Sequence, residues 1–216
     1  PVEVVIASEL RYKRYIRKEG EICILISQSG ETADTIAALR MLKNLGIPTL
    51  AITNVVGCTL GREADKVLYT NAGPEIAVAS TKAFTTQLLS LFSLATLLAK
   101  ADQSALLEAL QQLPSQAQRL LDRQEDIQRF AANQFNKTKV FFMGRLVDYA
   151  ISLESALKLE EISYTHSEAF AAGELKHGPI ALVDTSTLLV ALCTQPSLFA
   201  KMDSNIKEVK ARGATA

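Results

Sequence analysis

The chain has 216 residues, with 23 Lys and Arg balanced by 23 Asp and Glu and 48% hydrophobic side chains, enough for one large core or two modest ones. A formal charge of zero removes the field that drives sequence-independent binding to nucleic acid. The most apolar window, Leu88 to Ala99, is interrupted by Ser90, Ser93 and Thr96 and falls short of the roughly 20 residues that cross a bilayer, so neither nucleic acid nor membrane is an expected partner.

Cys23, Cys58 and Cys193 are odd in number, widely spaced and mostly inside apolar runs, which suits reduced core thiols and predicts a cytoplasmic protein. With His166 and His177 as the only histidines, and no Cys-x-x-Cys or His-x-x-x-His spacing, no metal site is expected. Pro1 stands where an initiator Met would, and the N-terminus is expected to be a cut edge.

In chain order, Val2 to Ser8 and Glu21 to Ile26 are β-branched runs that predict buried strands. Ile36, Leu39, Leu42 and Leu45 then recur every three residues until Gly46-Ile47-Pro48, a helix closed by glycine. Thr49 to Thr53 and Lys66 to Tyr69 repeat the strand signal around a helical stretch, Leu60 to Ala64. This βαβαβ order predicts a parallel sheet with helices on both faces. Thr81 to Lys100 and Ser104 to Leu113 read as helices, Pro114 as punctuation, and Gln116 to Phe135 as a more charged helix leading to Asn136-Lys137-Thr138. The α/β alternation resumes with a strand from Lys139 to Met143, a helix from Leu146 to Ser163 and a strand from Thr187 to Cys193.

The expected organisation is therefore an α/β unit over 1–113, a helical connector over 114–138 and a second α/β unit over 139–216. Sliding the chain by 167 places Leu189–Cys193, Ile206, Val209 and Gly213 on Ile22–Ile26, Leu39, Leu42 and Gly46, which predicts an internal duplication. On that alignment the first copy lacks its opening strand and helix and the second its later strands, so both are expected to be truncated.

Three stretches carry candidate chemistry. Ser27-Gln28-Ser29-Gly30-Glu31-Thr32 follows a strand and opens a helix, bringing three hydroxyls and an amide to the positive end of a helix dipole, which suits a phosphate dianion. It has neither the Lys of a P-loop nor the spaced glycines of a dinucleotide site, so a small phosphorylated molecule fits better than a nucleotide. Ordinary capping by one hydroxyl is the alternative, and three hydroxyls in six residues make it the less favoured account. For the turn Val78-Ala79-Ser80-Thr81-Lys82, capping and helix-packing hydroxyls are the favoured explanation.

On the helix from Leu146, Glu154, Lys158 and Glu161 fall at relative angles of about 0°, 40° and −20°, while Glu160 points elsewhere. This is a solvated strip with an i,i+4 pair or a carboxylate base beside an ammonium, and spacing does not decide. His177, before Gly178-Pro179, is on a turn with a ring nitrogen free to titrate, a better catalytic candidate than His166 at a helix end.

Taken together, ISQSGETADT (Ile26 to Thr35), TNAGPEIAVASTKAFTTQ (Thr70 to Gln87), LESALKLEEISYTHSEAF (Leu153 to Phe170) and GELKHGP (Gly173 to Pro179) resemble the isomerase half of the glutamine–fructose-6-phosphate aminotransferases. That family carries two sugar-isomerase (SIS) domains after an N-terminal glutaminase domain. The resemblance implies phosphate binding by Ser27, Gln28, Ser29 and Thr32, and sugar contacts from Val78 and Ser80. It implies proton transfer between C1 and C2 by Glu161, charge stabilisation by Lys158 and orientation by Glu154. Ring opening would fall to His177 of a neighbouring subunit, in a homodimer acting on fructose 6-phosphate and releasing glucosamine 6-phosphate, without cofactor or metal. Gln195-Pro196-Ser197-Leu198 lacks the hydroxyl and glycine set, so one phosphate site per chain is expected. The Gly-Thr-Ser loop and the C-terminal lysine that the family uses lie outside this chain, and the fragment alone is expected to be an incomplete catalyst. The competing readings are another double-SIS amino-sugar isomerase or deglycase, and a non-catalytic sugar-phosphate sensor.

Overall fold

In the computed structural model, which describes residues 2–99 and 102–216, the chain divides into two compact units, Pro1–Pro114 and Ser115–Ala216. The first contains α1 (Ala7–Leu10), β1 (Cys23–Ser27), α2 (Ala33–Asn44), β2 (Thr49–Thr53), α3 (Thr59–Glu63), β3 (Lys66–Tyr69) and α4 (Lys82–Leu98). Its strands form a parallel sheet in the order β1-β2-β3, in register from Cys23 opposite Thr49 and Leu50 opposite Lys66. Pleating sends alternate side chains to opposite faces. Leu25 and Ala51 point into a core closed by Ile36, Leu39 and Leu42 of α2 and by Leu60 of α3. On the other face Ile26 remains 41% exposed, so the expected burial of both faces is only partial at β1.

Helix α5 (Ser104–Leu121) carries the boundary between the units, and α6 (Gln124–Gln134) follows it. The second unit contains β4 (Lys139–Gly144), α7 (Val147–Ser163), β5 (Ser167–Ala171), β6 (Thr187–Ala191) and α8 (Phe199–Lys210). Its sheet is parallel in the order β5-β4-β6. The central strand is buried on both sides: Phe141 and Met143 face a cluster with Leu189, Met202 and Val209, while Val140 and Phe142 face Ala156 and Leu188. Phe141 also meets Phe170 of β5 edge-on, with ring centroids 5.2 Å apart. Beyond β6, Leu188 forms an isolated parallel bridge with Thr215, as Cys23 pairs with Thr49. Both units thus contain a strand, a twelve-residue helix and a return to the sheet, as strand β2 in the first and as the single Thr215 bridge in the second, each helix followed by a glycine of positive φ, Gly46 at 68° and Gly213 at 96°.

Three expectations are corrected and one strand is added. Val2 to Ser8 is not a strand: its first part has no regular structure, Val2 and Val4 are exposed, and Ala7 opens α1. Val5 and Ala7 pack on the core from an alternating segment, which produces the same periodicity without a sheet neighbour. Pro114 does not end a helix but lies inside α5. That helix has no buried residues, so the carbonyl deprived of its N–H partner is free to bond water. Ser167–Ala171 forms a strand that its Ser, Glu and Ala content does not announce, because pairing with β4 fixes it. The Thr81 to Lys100 helix begins at Lys82, and Lys100 lies outside the described residues. No described helix is long and apolar enough to cross a membrane.

Candidate active-site elements in the two units

The loop after β1 is held from beneath. Ser27 is buried, its Oγ accepts the Gly30 N–H at 3.1 Å, and it shares a 2.9 Å hydrogen bond with Thr32 Oγ1. Ser29 Oγ accepts the Glu31 N–H at 3.2 Å. Thr32 occupies the N-cap of α2 but makes no side-chain cap hydrogen bond. The hydroxyls therefore shape the loop, and capping of α2 by one of them is overturned. Helix α2 presents its first-turn N–H groups beneath this loop, an arrangement that favours an oxyanion.

Gly30 explains why the loop can fold so tightly. Its φ is 68°, and a Cβ there would lie 2.2 Å from Cys58 Sγ and 2.9 Å from Thr53 Oγ1. Cys58 is buried, and its sulfur caps α3 by accepting the Gly61 N–H at 3.3 Å. Thr53 and Asn54, at the end of β2, both reach the Gln28 carbonyl: Thr53 Oγ1 donates at 3.3 Å and the Asn54 N–H at 3.0 Å. Asn54 then accepts from Thr70 Oγ1 and the Ala72 N–H and donates to the Gly73 carbonyl at 2.7 Å. One residue thus ties together the loops that leave all three strands, its backbone N–H reaching the loop after β1 and its side chain the loop after β3. Sequence reasoning passed over Thr53, Asn54 and Cys58, although a polar residue at the C-terminal end of a parallel strand is a signal for such a position.

Val78 and Ser80 precede α4. Val78 is 98% exposed, Ser80 is half-buried, and among the described residues no hydrogen bond joins either to the Ser27–Thr32 loop. The expected hydroxyl cap is also corrected. Thr81 makes no cap bond, and Glu75 Oε2 accepts the Ala83 N–H at 3.0 Å instead. The hydroxyls of Thr85, Thr86 and Ser90 bond back to carbonyls of the same helix.

In the second unit, α7 packs on the sheet through a narrow stripe of buried residues, Asp148, Ser152 and Ala156. Gly144 permits the close approach: a Cβ there would fall 2.3 Å from the Asp148 carbonyl carbon. The Asp148 carboxylate accepts from both the N–H and the hydroxyl of Thr194, which joins the start of α7 to the end of β6. Glu154, Lys158 and Glu161 occupy the opposite side of the helix. Lys158 Nζ lies 2.5 Å from Glu161 Oε2 and 3.5 Å from Glu154 Oε1, with the three side chains between 20% and 31% exposed. Burial alone would lower the pKa of Lys158; the hydrogen bond and charge of Glu161, together with Glu154, more than offset it and raise it. The ammonium is consequently a fixed cation at neutral pH. Glu160 is separate, its carboxylate accepting the Ser167 N–H at 3.4 Å. Leu153, Leu157 and Ile162 flank the charged stripe and are 45% to 63% exposed.

His177 ends the one-turn helix Leu175–His177, is exposed, and is followed by Gly178 at φ 139°. Its N–H donates to the Glu174 carbonyl at 2.9 Å. Among the described residues no hydrogen bond or ion pair links it to the α7 carboxylates. His166, also exposed, lies 4.0 Å from the Glu168 carboxylate and lends its carbonyl to the Val140 N–H. No described cluster of His, Cys, Asp and Glu could hold a metal.

The sequence signature of the SIS domain matches residues 1–97 and 135–216. The chain is 57% identical, over 220 aligned residues, to the glutamine–fructose-6-phosphate aminotransferase (isomerizing) of Caldanaerobacter subterraneus subsp. tengcongensis. That match covers 99% of this chain and 36% of the relative, so the chain spans about a third of the length of such relatives. Among solved structures, the C-terminal domain of glucosamine-fructose-6-phosphate aminotransferase from Francisella tularensis superposes with a TM-score of 0.93 at 42% identity, covering 99% of this chain and 63% of that one. A glucosamine-6-phosphate deaminase from Thermotoga maritima superposes with a TM-score of 0.82 at 30% identity, covering 97% of this chain and 64% of that one. Matched in both units and across a parallel α/β framework, the chain belongs to the SIS-domain family.

Proposed function

We propose that the chain is the sugar-phosphate isomerase part of an amidotransferase that converts fructose 6-phosphate and glutamine-derived ammonia to glucosamine 6-phosphate. In this reading the units are two SIS domains, each only in part within this chain, and the full-length protein adds an N-terminal glutaminase domain. The 36% coverage of the Caldanaerobacter relative supports both points. The protein works in the cytoplasm as a homodimer.

The observation that carries the chemistry is Lys158 held between Glu154 and Glu161 on a half-buried helix face. Moving a proton between C1 and C2 needs a base at the carbon and a cation near the oxygen or nitrogen where charge develops. Glu161 supplies the first, Lys158 the second, and Glu154 fixes the ammonium. His177 opens the sugar ring and comes from the second subunit. Ser27, Gln28, Ser29 and Thr32 hold the phosphate, whose binding energy, remote from the reacting carbons, positions them for transfer. Val78 and Ser80 contact the sugar. These groups suffice for the proton transfers, and the reading calls for no cofactor or metal.

Replacing Ser29 and Thr32 by Ala in the full-length protein should weaken fructose 6-phosphate by roughly 1.5–3 kcal/mol for each charge-assisted hydrogen bond lost. Calorimetry reads this directly, and unchanged affinity would overturn the phosphate assignment.

A further inference from the structure

The second unit contains a crevice that the proposed reaction does not use. Strand β4 lies between β5 and β6, so the chain leaves the sheet centre in one direction after α7 and returns on the other side at β6. Such a reversal opens a gap beyond the carboxyl ends of the strands, where parallel α/β sheets accept ligands. A cavity of about 270 Å³ lies there, lined by Arg145 and Leu146 after β4, by the end of β5 with residues 172–174, and by Leu198 before α8.

Arg145 is the unusual member. It is half-buried, and of its five N–H donors one is used, Nη2 to Asn205 Oδ1 at 2.8 Å. Its Nε is buried with no hydrogen-bond partner. Among the described residues Arg145 forms no ion pair, although Glu174 lines the same cavity. A partly desolvated guanidinium without a counter-charge is costly, and its planar fork matches the oxygens of a phosphate or carboxylate. The backbone beside it is strained: Leu146 adopts φ 54° and ψ −122°, a conformation that a side chain with a Cβ takes only when its surroundings impose it. Strain and an unsatisfied cation meet at one crevice.

We propose that this crevice binds a small oxyanion-bearing ligand through Arg145, with the Glu174 carboxylate on its rim accepting from ligand hydroxyls. The site is distinct from the Ser27–Thr32 loop, lies wholly within the second unit and does not depend on the function proposed above. It replaces the expectation of a single oxyanion site per chain. Gln195-Pro196-Ser197-Leu198 does lack the hydroxyl and glycine set of the first unit's loop, and here the cation comes from the loop after β4.

Equilibrium dialysis of the full-length protein against inorganic phosphate tests this. The wild type should take up two phosphates per chain, Arg145→Met should lose one, and the Ser29→Ala, Thr32→Ala double variant should lose the other. If Arg145→Met disturbs folding by circular dichroism, Arg145→Lys decides, since it keeps the charge without the fork and should bind at least about tenfold more weakly at this site. Acetate competing for the Arg145-dependent phosphate marks a carboxylate ligand; its failure to compete marks a phosphate ester. A single phosphate lost only in Arg145→Met would support the crevice and count against the proposed reaction. Wild-type stoichiometry and affinity in both Arg145 variants would overturn the site.

Discussion

The two units put the same strand–helix–strand framework to different chemical use. In the first, the loop between β1 and α2 is a closed polar network: Ser27 bonds Thr32 and Gly30, Gln28 is tied to Thr53 and Asn54, and Gly30 rests on Cys58. In the second, the corresponding connection between β6 and α8 ends in the one-turn helix Pro196–Leu198, and its side-chain tie is from Thr194 to Asp148 of α7. The candidate charged groups of this unit are instead on α7 and at Arg145. Both helices are twelve residues long and both sheets are parallel, so the framework does not determine what is bound. The difference lies in a few residues at the strand ends, hydrogen-bonded hydroxyls in the first unit and the Arg145 guanidinium in the second.

The sharpest test of that division is on the charged helix. Glu161→Gln should lower isomerase activity about 10²–10⁴-fold, the usual contribution of a positioned base, with fructose 6-phosphate affinity kept. Glu160→Gln, whose carboxylate serves the Ser167 N–H, should leave turnover within a few-fold of wild type. The reverse result would break the assignment of chemistry to the Lys158 face. Mixing full-length Glu161→Gln and His177→Ala subunits extends the test. If the imidazole comes from the second subunit, mixed dimers contain one intact site and recover activity, whereas mixed dimers that stay inactive confine the site to one chain.

A smaller effect is expected from the shape of the polar loop. Gly30→Ala places a methyl group 2.2 Å from Cys58 Sγ in a residue at φ 68°. The cost should be about 3 kcal/mol of stability from strain and overpacking together, with phosphate binding lost. Gly57 has the same backbone handedness, φ 76°, but nothing within 4 Å of its added Cβ, so Gly57→Ala should cost about 1 kcal/mol from backbone strain alone. Urea titrations of both variants separate the two contributions, and equal losses would show that Cys58 yields and the loop is not held by contact.

How far such features were legible in the sequence followed their range. Strands β2 and β3 have the bounds that their apolar runs indicated, and α2 ends near Gly46 because glycine takes the left-handed conformation at no steric cost. Helical phase alone grouped Glu154, Lys158 and Glu161. The roles of Asn54 and Cys58 were not legible, since Asn54 meets Gln28 across 26 positions of chain and only folding makes the contact. Strand β5 was invisible for the same reason, and Val2 to Ser8 misled because β-branching reports residue type and not the presence of a neighbour. The hydroxyl loop was visible as a cluster, but its use of the hydroxyls among themselves was not.

The smallest expected difference between the units is in acid. Asp184 sits before β6, where hydrogen bonds from Lys139 and from the Ser186 hydroxyl and N–H, with the charge of Lys139, hold its carboxyl far below the usual carboxylate range. Asp65 is lowered in the first unit by the hydroxyl and N–H of Thr49 and by Lys43. A carboxyl depressed in the folded state adds stability above its unfolded pKa, and that stability is lost as pH falls toward the folded value. For Asp184 the loss begins as pH drops below the ordinary value of 3.8. Asp184 joins the start of β4, through Lys139, to the start of β6, through Thr187. The protection of the β4 and β6 amides against hydrogen exchange, relative to the intrinsic rate at each pH, should therefore fall on acidification, and Asp184→Asn should flatten that dependence while leaving the β1 and β2 amides unchanged. Asp65→Asn should do the converse. If either substitution altered both sheets equally, the carboxylates would be acting through the whole chain and the two units would not be energetically separable.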